Sequence, residues 1–338
     1  MPNDTTTPLT PLRKGIAGVQ YLFVAFGATV LVPLLVGLDP STALFSAGIG
    51  TLLFHLVTQG KVPIFLGSSF AFIAPIIKAT ELYGLPGALF GCIGVSLVYF
   101  VMSLLIRTFG IRFIARLFPP VVIGPIIMLI GLSLSSAAVK MAETNWILAA
   151  VSLCTAIVIT LYTRGLVKLI PIFLGIVVGY LADLIFFSVD LQPIKDADWL
   201  SLPQFMIPES FSWRPILFMI PVAIAPVIEH IGDVYVVNNV AGKNFVKDPG
   251  LHRTMAGDGL ACLFASLVGG PPVTTYSEVT GAMSLTTITE PFVFRIAAVT
   301  GVLFSLVGKV SALLRSIDQA ILGGIMLLLF GTIAGAGI

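Results

Sequence analysis

Three uncharged stretches constrain this chain more than anything else in it. Gly15 to Leu38, Leu82 to Ile106 and Leu117 to Val139 run for 24, 25 and 23 residues without an Asp, Glu, Lys or Arg. As helices, each is long enough to cross a hydrocarbon core of roughly 30 Å. Over 338 residues, 57% are hydrophobic and only 10% charged, against about a quarter in an ordinary soluble domain. The composition excludes a soluble globule and implies an all-α polytopic membrane protein, with the lipid bilayer as its surroundings. Basic and acidic side chains number 18 and 16. No basic tract interleaves with aromatics, which argues against a nucleic-acid partner. The polar start, Met1 to Lys14, leads into an apolar run with no small-residue cleavage site, so that run reads as a span rather than a removable signal.

Apolar runs set against turn and charge punctuation place spans at 16–38, 41–58, 86–106, 117–139, 145–162, 167–187, 214–241, 252–269, 292–313 and 320–338. Two segments differ. Val62 to Ile77 and Pro271 to about Thr289 are short and rich in Gly, Pro, Ser and Thr. Each opens on an extended-looking stretch, Pro63 to Phe70 and Pro272 to Ser277, and so reads as a strand leading into a half-helix. Counting both gives about twelve crossings. Two thirds of the Lys and Arg then share a side with the N-terminus, which the positive-inside rule makes cytoplasmic, with the acidic 188–214 connection outside. Trp146, Trp199 and Trp213 fall at that outer boundary as an aromatic belt. The broken segments are third in the chain and third after the outer loop, which implies two inverted halves of seven spans. By that logic two further spans are expected beyond Ile338.

Charges at membrane depth are costly and mark functional sites. Glu229 and Asp233 stand at i and i+4 on one helix face. Two like charges so placed imply that at least one holds a proton at neutral pH or that the site takes a cationic or hydrogen-donating guest. Glu278 follows Thr274-Thr-Tyr-Ser277 and opens the second half-helix, a position that also suits a simple helix cap. Broken spans leave backbone groups unpaired, which is stable in a membrane only along a protein-walled or wet cavity. The amides near Phe70 and Ser277 are the candidates for lining it. His55 and His230 read as buried, hydrogen-bonded helix histidines. Asp183 and Asp258 read as acids solvated near span ends, and Cys92, Cys154 and Cys262 as buried packing residues. No metal spacing, nucleophile set, dinucleotide fingerprint or P-loop is present, so an enzyme, an ATP-driven pump and a bound cofactor are not expected. The connector from Lys243 to Arg253 reads as a contact for anionic headgroups.

A pocket with carboxylates from two helices and amides from two strands suits a planar, neutral molecule edged with both N–H and C=O, such as uracil. The strings Phe26-Gly-Ala-Thr-Val-Leu-Val-Pro33, Gly67-Ser-Ser-Phe-Ala-Phe72, Glu229-His-Ile-Gly232, Asp248-Pro-Gly-Leu-His-Arg253 and Thr274-Thr-Tyr-Ser-Glu278 resemble the nucleobase/ascorbate transporter family. The resemblance runs from about residue 16 to the end and is nearest to bacterial uracil permeases. It implies an inverted seven-plus-seven fold, here cut to about twelve spans, working as a proton symporter in a bacterial inner membrane and often as a homodimer. It divides the chain into a cytoplasmic tail (1–15), core (16–110), gate with outer loop (111–213), core (214–313) and the start of a second gate part (314–338). Carried over residue by residue, the substrate-binding positions fall on Glu229, Glu278, Phe70, Ser277, Tyr276 and Ala28. Proton coupling falls on Glu229 and Asp233, with the proton as coupling ion. Asp233 stands where uracil permeases commonly carry His and purine-type members an acid, which keeps a xanthine-type substrate as the alternative. Ser277 replaces a common Gly, and Asp318 a helix-start Pro that it can replace as a cap. A sulfate-permease-like anion carrier and a channel or non-transporting receptor are the other readings.

Overall fold

A computed structural model describes residues 10–110, 120–165, 167–187, 189–208 and 212–336. Thr10 caps α1 (Pro11–Val36) by accepting from Arg13 N, and the helix ends on left-handed Gly37. The helix therefore enters the segment expected to be a polar tail, because Thr10 and Pro11 supply a cap and an N1 residue. Asp39 caps α2 (Pro40–Val57). The chain then runs through β1 (Leu66–Ser68) and one tight turn, Phe70–Phe72, into α3 (Ile73–Phe109). The structure shortens the expected strand at both ends, and Phe70 itself is helical. The spans expected at 62–77 and 86–106 join in α3, broken only where Gly84 adopts φ 74 and ψ 165 two residues before Pro86. Glycine reaches that conformation without strain, and the proline cannot donate back into the preceding turn.

Next come α4 (Pro120–Ala142), α5 (Trp146–Tyr162), α6 (Pro171–Phe186), the short α7 (Gln192–Asp196) and α8 (Trp213–Met219). A turn at Pro221–Ala223 leads into α9 (Ile224–Ala241), followed by α10 (Leu251–Leu267). The second broken segment is β2 (Val273–Thr275) and α11 (Ser277–Thr286). The chain closes with α12 (Pro291–Ser305), α13 (Gly308–Arg315) and α14 (Gln319–Ala336). The crossing expected at 292–313 is two helices, since Val307 bridges Leu200 of the 189–208 connection and Lys309 Nζ donates to the carbonyls of Ile194 and Lys195. Helices α13 and α14 meet at 79°, and Asp318 caps α14 by accepting from Ala320 N at 2.7 Å. The expected span start at Leu117, Glu209 and Ile338 lie outside the described residues.

Four described helical stretches are long and apolar enough to cross a membrane by length and composition alone, and α5, α6 and α12 are shorter apolar helices. The protein is a multi-pass membrane protein. Trp146, Trp199 and Trp213 are all exposed, and Lys309 stands 5.5 Å over the Trp199 ring. Cys92 and Cys262 are buried, but Cys154 is exposed on α5 rather than packed inside.

Two groups of helices form. In one, α10 packs on α2 and α3, α12 on α1 and α2, and α8 on α3; in the other, α14 packs on α4 and α5, and α5 on α6. Helix α1 touches α6 across the seam. Small residues permit the close approaches, as expected where packing rather than hydrophobicity drives association: a Cβ on Gly48 would meet the Ala298 carbonyl of α12, and one on Gly324 the Ala149 carbonyl of α5.

Candidate functional site

The strands β1 and β2 pair antiparallel at the centre of the first helix group, with Leu66, Gly67 and Ser68 opposite Thr275, Thr274 and Val273. A ribbon of three residues per strand cannot stand alone, and inside a membrane each of its backbone groups needs a partner. Surrounding side chains supply them. Leu66 N donates to Thr51 Oγ1 at 2.9 Å, Tyr276 OH donates to Ser68 O at 2.7 Å and Cys262 Sγ to Val273 O at 2.9 Å. His55 Nε2 lies 3.0 Å from Ile64 O. Ser68 Oγ donates to Thr29 O of α1 at 3.1 Å, and Thr275 Oγ1 donates to the Asp233 carboxylate of α9. Four helices thus hold the crossing by polar contacts.

Beyond the crossing, both chains turn into helix. Ser277 opens α11, and Glu278 occupies its first turn with the carboxylate over its own backbone N–H. The first N–H groups of a helix have no intrahelical partner. On α9, Glu229 is exposed, and a Cβ on Gly232, one turn on, would meet no atom within 4 Å. That face borders open space. Asp233 is turned away and buried at 6% exposure. Four residues advance a helix by 400°, so i and i+4 differ by about 40°. Here that offset sends Glu229 to the opening and Asp233 to the strands, which qualifies the expected common face.

Glu229 lies within electrostatic range of Asp233, Glu278 and Asp258. Tyr276 feels both Glu278 and Glu229. The structure therefore gathers Glu229, Asp233, Tyr276 and Glu278 around the end of β2. The Tyr276 hydroxyl is committed to Ser68, and its carbonyl accepts from Thr280 N and Oγ1 at 3.2 Å each. Phe70, half-buried, packs against both the main core and a second cluster around Leu31, Ile176 and Ile325, at the seam between the helix groups. Ala28 is buried at 4% exposure, one residue before the bonded Thr29.

One cluster escaped the sequence reading. Asp258 is fully buried rather than solvated at a span end, with its carboxylate 2.8 Å from His230 Nδ1. His230 Nε2 lies 3.0 Å from Thr254 Oγ1, and Thr254 Oγ1 donates to Leu251 O. Burial without partners would be prohibitive, and α9 supplies the partner, an arrangement hidden in one dimension because the pair is 28 positions apart. The signal was local: Asp258 stands between Gly257 and Gly259 in an apolar helix, a spacing that lets neighbours close over it. Asp183 is also buried at 6% exposure and walls a cleft of about 660 Å³ with Asp39, Asp318 and Arg315. Among the described residues no three His, Cys, Asp or Glu side chains are grouped to hold a metal ion.

Comparison with known proteins adds independent findings. The Permease family model matches residues 13–338. A probable uracil permease of Haemophilus influenzae is 47% identical over 335 residues, covering 96% of this chain and 81% of the relative. The uracil permease of Bacillus subtilis is 42% identical over 347 residues, covering 97% and 80%. Among solved structures, the transmembrane domain of a cyanobacterium bicarbonate transporter, BicA, aligns with a TM-score of 0.72 at 14% identity, over 97% of this chain and 90% of that one. At that identity the likeness concerns the fold alone.

Proposed function

Since the chain belongs to the nucleobase/ascorbate transporter family, we propose that it is a secondary active transporter carrying uracil with a proton across a bacterial inner membrane. The observation that carries this reading is the convergence of Glu229 and Glu278, from separate elements, beside two strand-to-helix breaks. Uracil is flat and neutral; its ring N–H groups donate to the two carboxylates, and its carbonyls accept from the backbone at Ser277 and Phe70. Tyr276 contributes main chain, the Phe70 ring closes one side, and Ala28 keeps the adjoining wall small. Glu229, open to the cavity, exchanges the coupling proton with Asp233 one turn away.

In the same reading the halves form an inverted seven-plus-seven repeat. The helix group around the strands is the moving core, and α4, α5, α6 and α14 belong to the gate. The N-terminus is cytoplasmic and two copies pair. Asp233, four residues after Glu229, favours a xanthine-type substrate as the second reading. An anion carrier fits the fold but not a site whose side chains are acids, since an anionic substrate would meet two carboxylates.

A binding panel of uracil, thymine, xanthine, urate and sulfate on the purified protein tests the reading, together with counterflow in proteoliposomes. Saturable uracil exchange accelerated by an inward proton gradient is expected, as is loss of that pH response in Asp233→Asn with binding largely kept. Preference for sulfate, or binding without flux, would overturn it.

A further inference from the structure

We infer that the notch between Lys61, Lys243 and Lys247 binds the phosphate headgroup of an anionic phospholipid. The notch is a cavity of about 640 Å³ near the start of α1, where Lys14 pairs with Glu290 next to the Pro291 wall. Three segments of the strand-bearing helix group wall it: the turn after α2, the connection between α9 and α10, and Pro291 at the start of α12. Of its charged walls, Asp248 pairs with Lys61 at 2.5 Å. Lys243 and Lys247 are exposed, and among the described residues neither meets a carboxylate.

The backbone that carries these two lysines is held in place. Phe245 between them is buried at 3% exposure, its N–H donates to Asn238 Oδ1 at 2.8 Å, and Lys247 N donates to Asn244 Oδ1 at 3.0 Å. A third cation stands alongside. Arg295 lies 5.4 Å from the Phe292 ring centroid, would be 3.9 Å from a Cβ on Gly60, and has a buried Nε without a hydrogen-bond partner. Several cations on the wall of one notch call for an anion with several acceptor oxygens.

The lipid, rather than free phosphate, is the source that fits the surroundings. Leu56, Ile16 and Phe292 stand 75%, 60% and 47% exposed on the helix ends at this side of the molecule. They give acyl chains an apolar collar directly beneath a headgroup seated in the notch. A basic pocket at the level where helices leave the hydrocarbon is the arrangement by which membrane proteins take anionic headgroups.

The test titrates the purified protein in neutral detergent with dihexanoyl phosphatidylglycerol, dihexanoyl phosphatidylcholine or inorganic phosphate, reading thermal stabilisation. Phosphatidylglycerol is expected to stabilise at concentrations where the other two do not. Each lysine is expected to contribute about fivefold in affinity, so K243Q/K247Q weakens the phosphatidylglycerol response by roughly twenty-five-fold while keeping the lipid-free melting temperature. Asp248→Asn, which removes the opposing charge, should tighten it. Unchanged affinity in the double variant, weaker binding in Asp248→Asn, or equal stabilisation by inorganic phosphate would each overturn the assignment.

Discussion

Asp39 organises one end of the molecule through a single carboxylate. It caps α2 through Thr42, accepts from Gln204 N at 3.0 Å and takes Arg315 Nη2 at 2.9 Å, so the α1–α2 turn, the 189–208 connection and α13 meet on it. Burial alone pushes its carboxyl up, but the Arg315 guanidinium, the Gln204 amide and Thr42 together hold it below the usual carboxylate range. A lowered folded value means that this stabilisation is fully present above about pH 4 and is lost as pH falls through the folded value. Asp39→Asn is therefore expected to flatten the acid limb of the stability profile, read as unfolding midpoints across that range. At the buried end of β2, Thr275→Val removes a donor from Asp233 and should cost roughly 1 to 3 kcal/mol, visible in chemical unfolding. Asp39 was not conspicuous in the sequence, and Thr275 stood out only as part of the Thr274-Thr-Tyr-Ser277 stretch, with nothing to mark it as a donor to Asp233. Glu229 and Glu278 were legible because a charge inside an apolar run is rare. Asp258 was misread for want of its partner His230, which only the packing of α9 on α10 brings near.

The two short strands were legible as elements because Gly, Pro and Ser/Thr interrupt otherwise continuous hydropathy. Their length and pairing were not, since three residues hold no period. What fixes the crossing is side-chain support from α1, α2, α9 and α10, and Gly67 is its tightest point. A Cβ there would overlap the Tyr276 ring and the Thr29 hydroxyl. Gly67→Ala is expected to destabilise by about 1 to 3 kcal/mol and to weaken uracil binding, because Tyr276 positions the start of α11; calorimetry and ligand titration check both. The break between α12 and α13 escaped notice for a related reason. Hydropathy runs on from 292 to 313, while the interruption at Val307 depends on a bridge to Leu200, more than a hundred positions away.

At the scale of the whole molecule, two helix groups face each other along α1 and α6. An apolar cavity of about 400 Å³ lies there, walled by Phe26, Val30, Phe173 and Leu314 among others. At its edge α1 presents Gly27, where a Cβ would come 2.9 Å from Ile172 Cγ2. Gly27→Val wedges the groups apart at this point. If they move against each other during transport, counterflow falls severalfold while equilibrium binding of uracil stays within about threefold. Loss of both together would place the effect on the pocket instead. Hydropathy and charge made the spans legible, but the grouping into two bodies depends on which small residues meet across helices, and that is written in no single segment.

In the proposed site, two acids from different elements grip one small ring. Isothermal titration of uracil into the purified wild-type, Glu229→Gln and Glu278→Gln proteins measures this directly. Each substitution replaces an acceptor-only group by one that also donates, and affinity is expected to fall by about tenfold to a hundredfold with the unliganded melting temperature preserved. Wild-type affinity in either variant would contradict the claim.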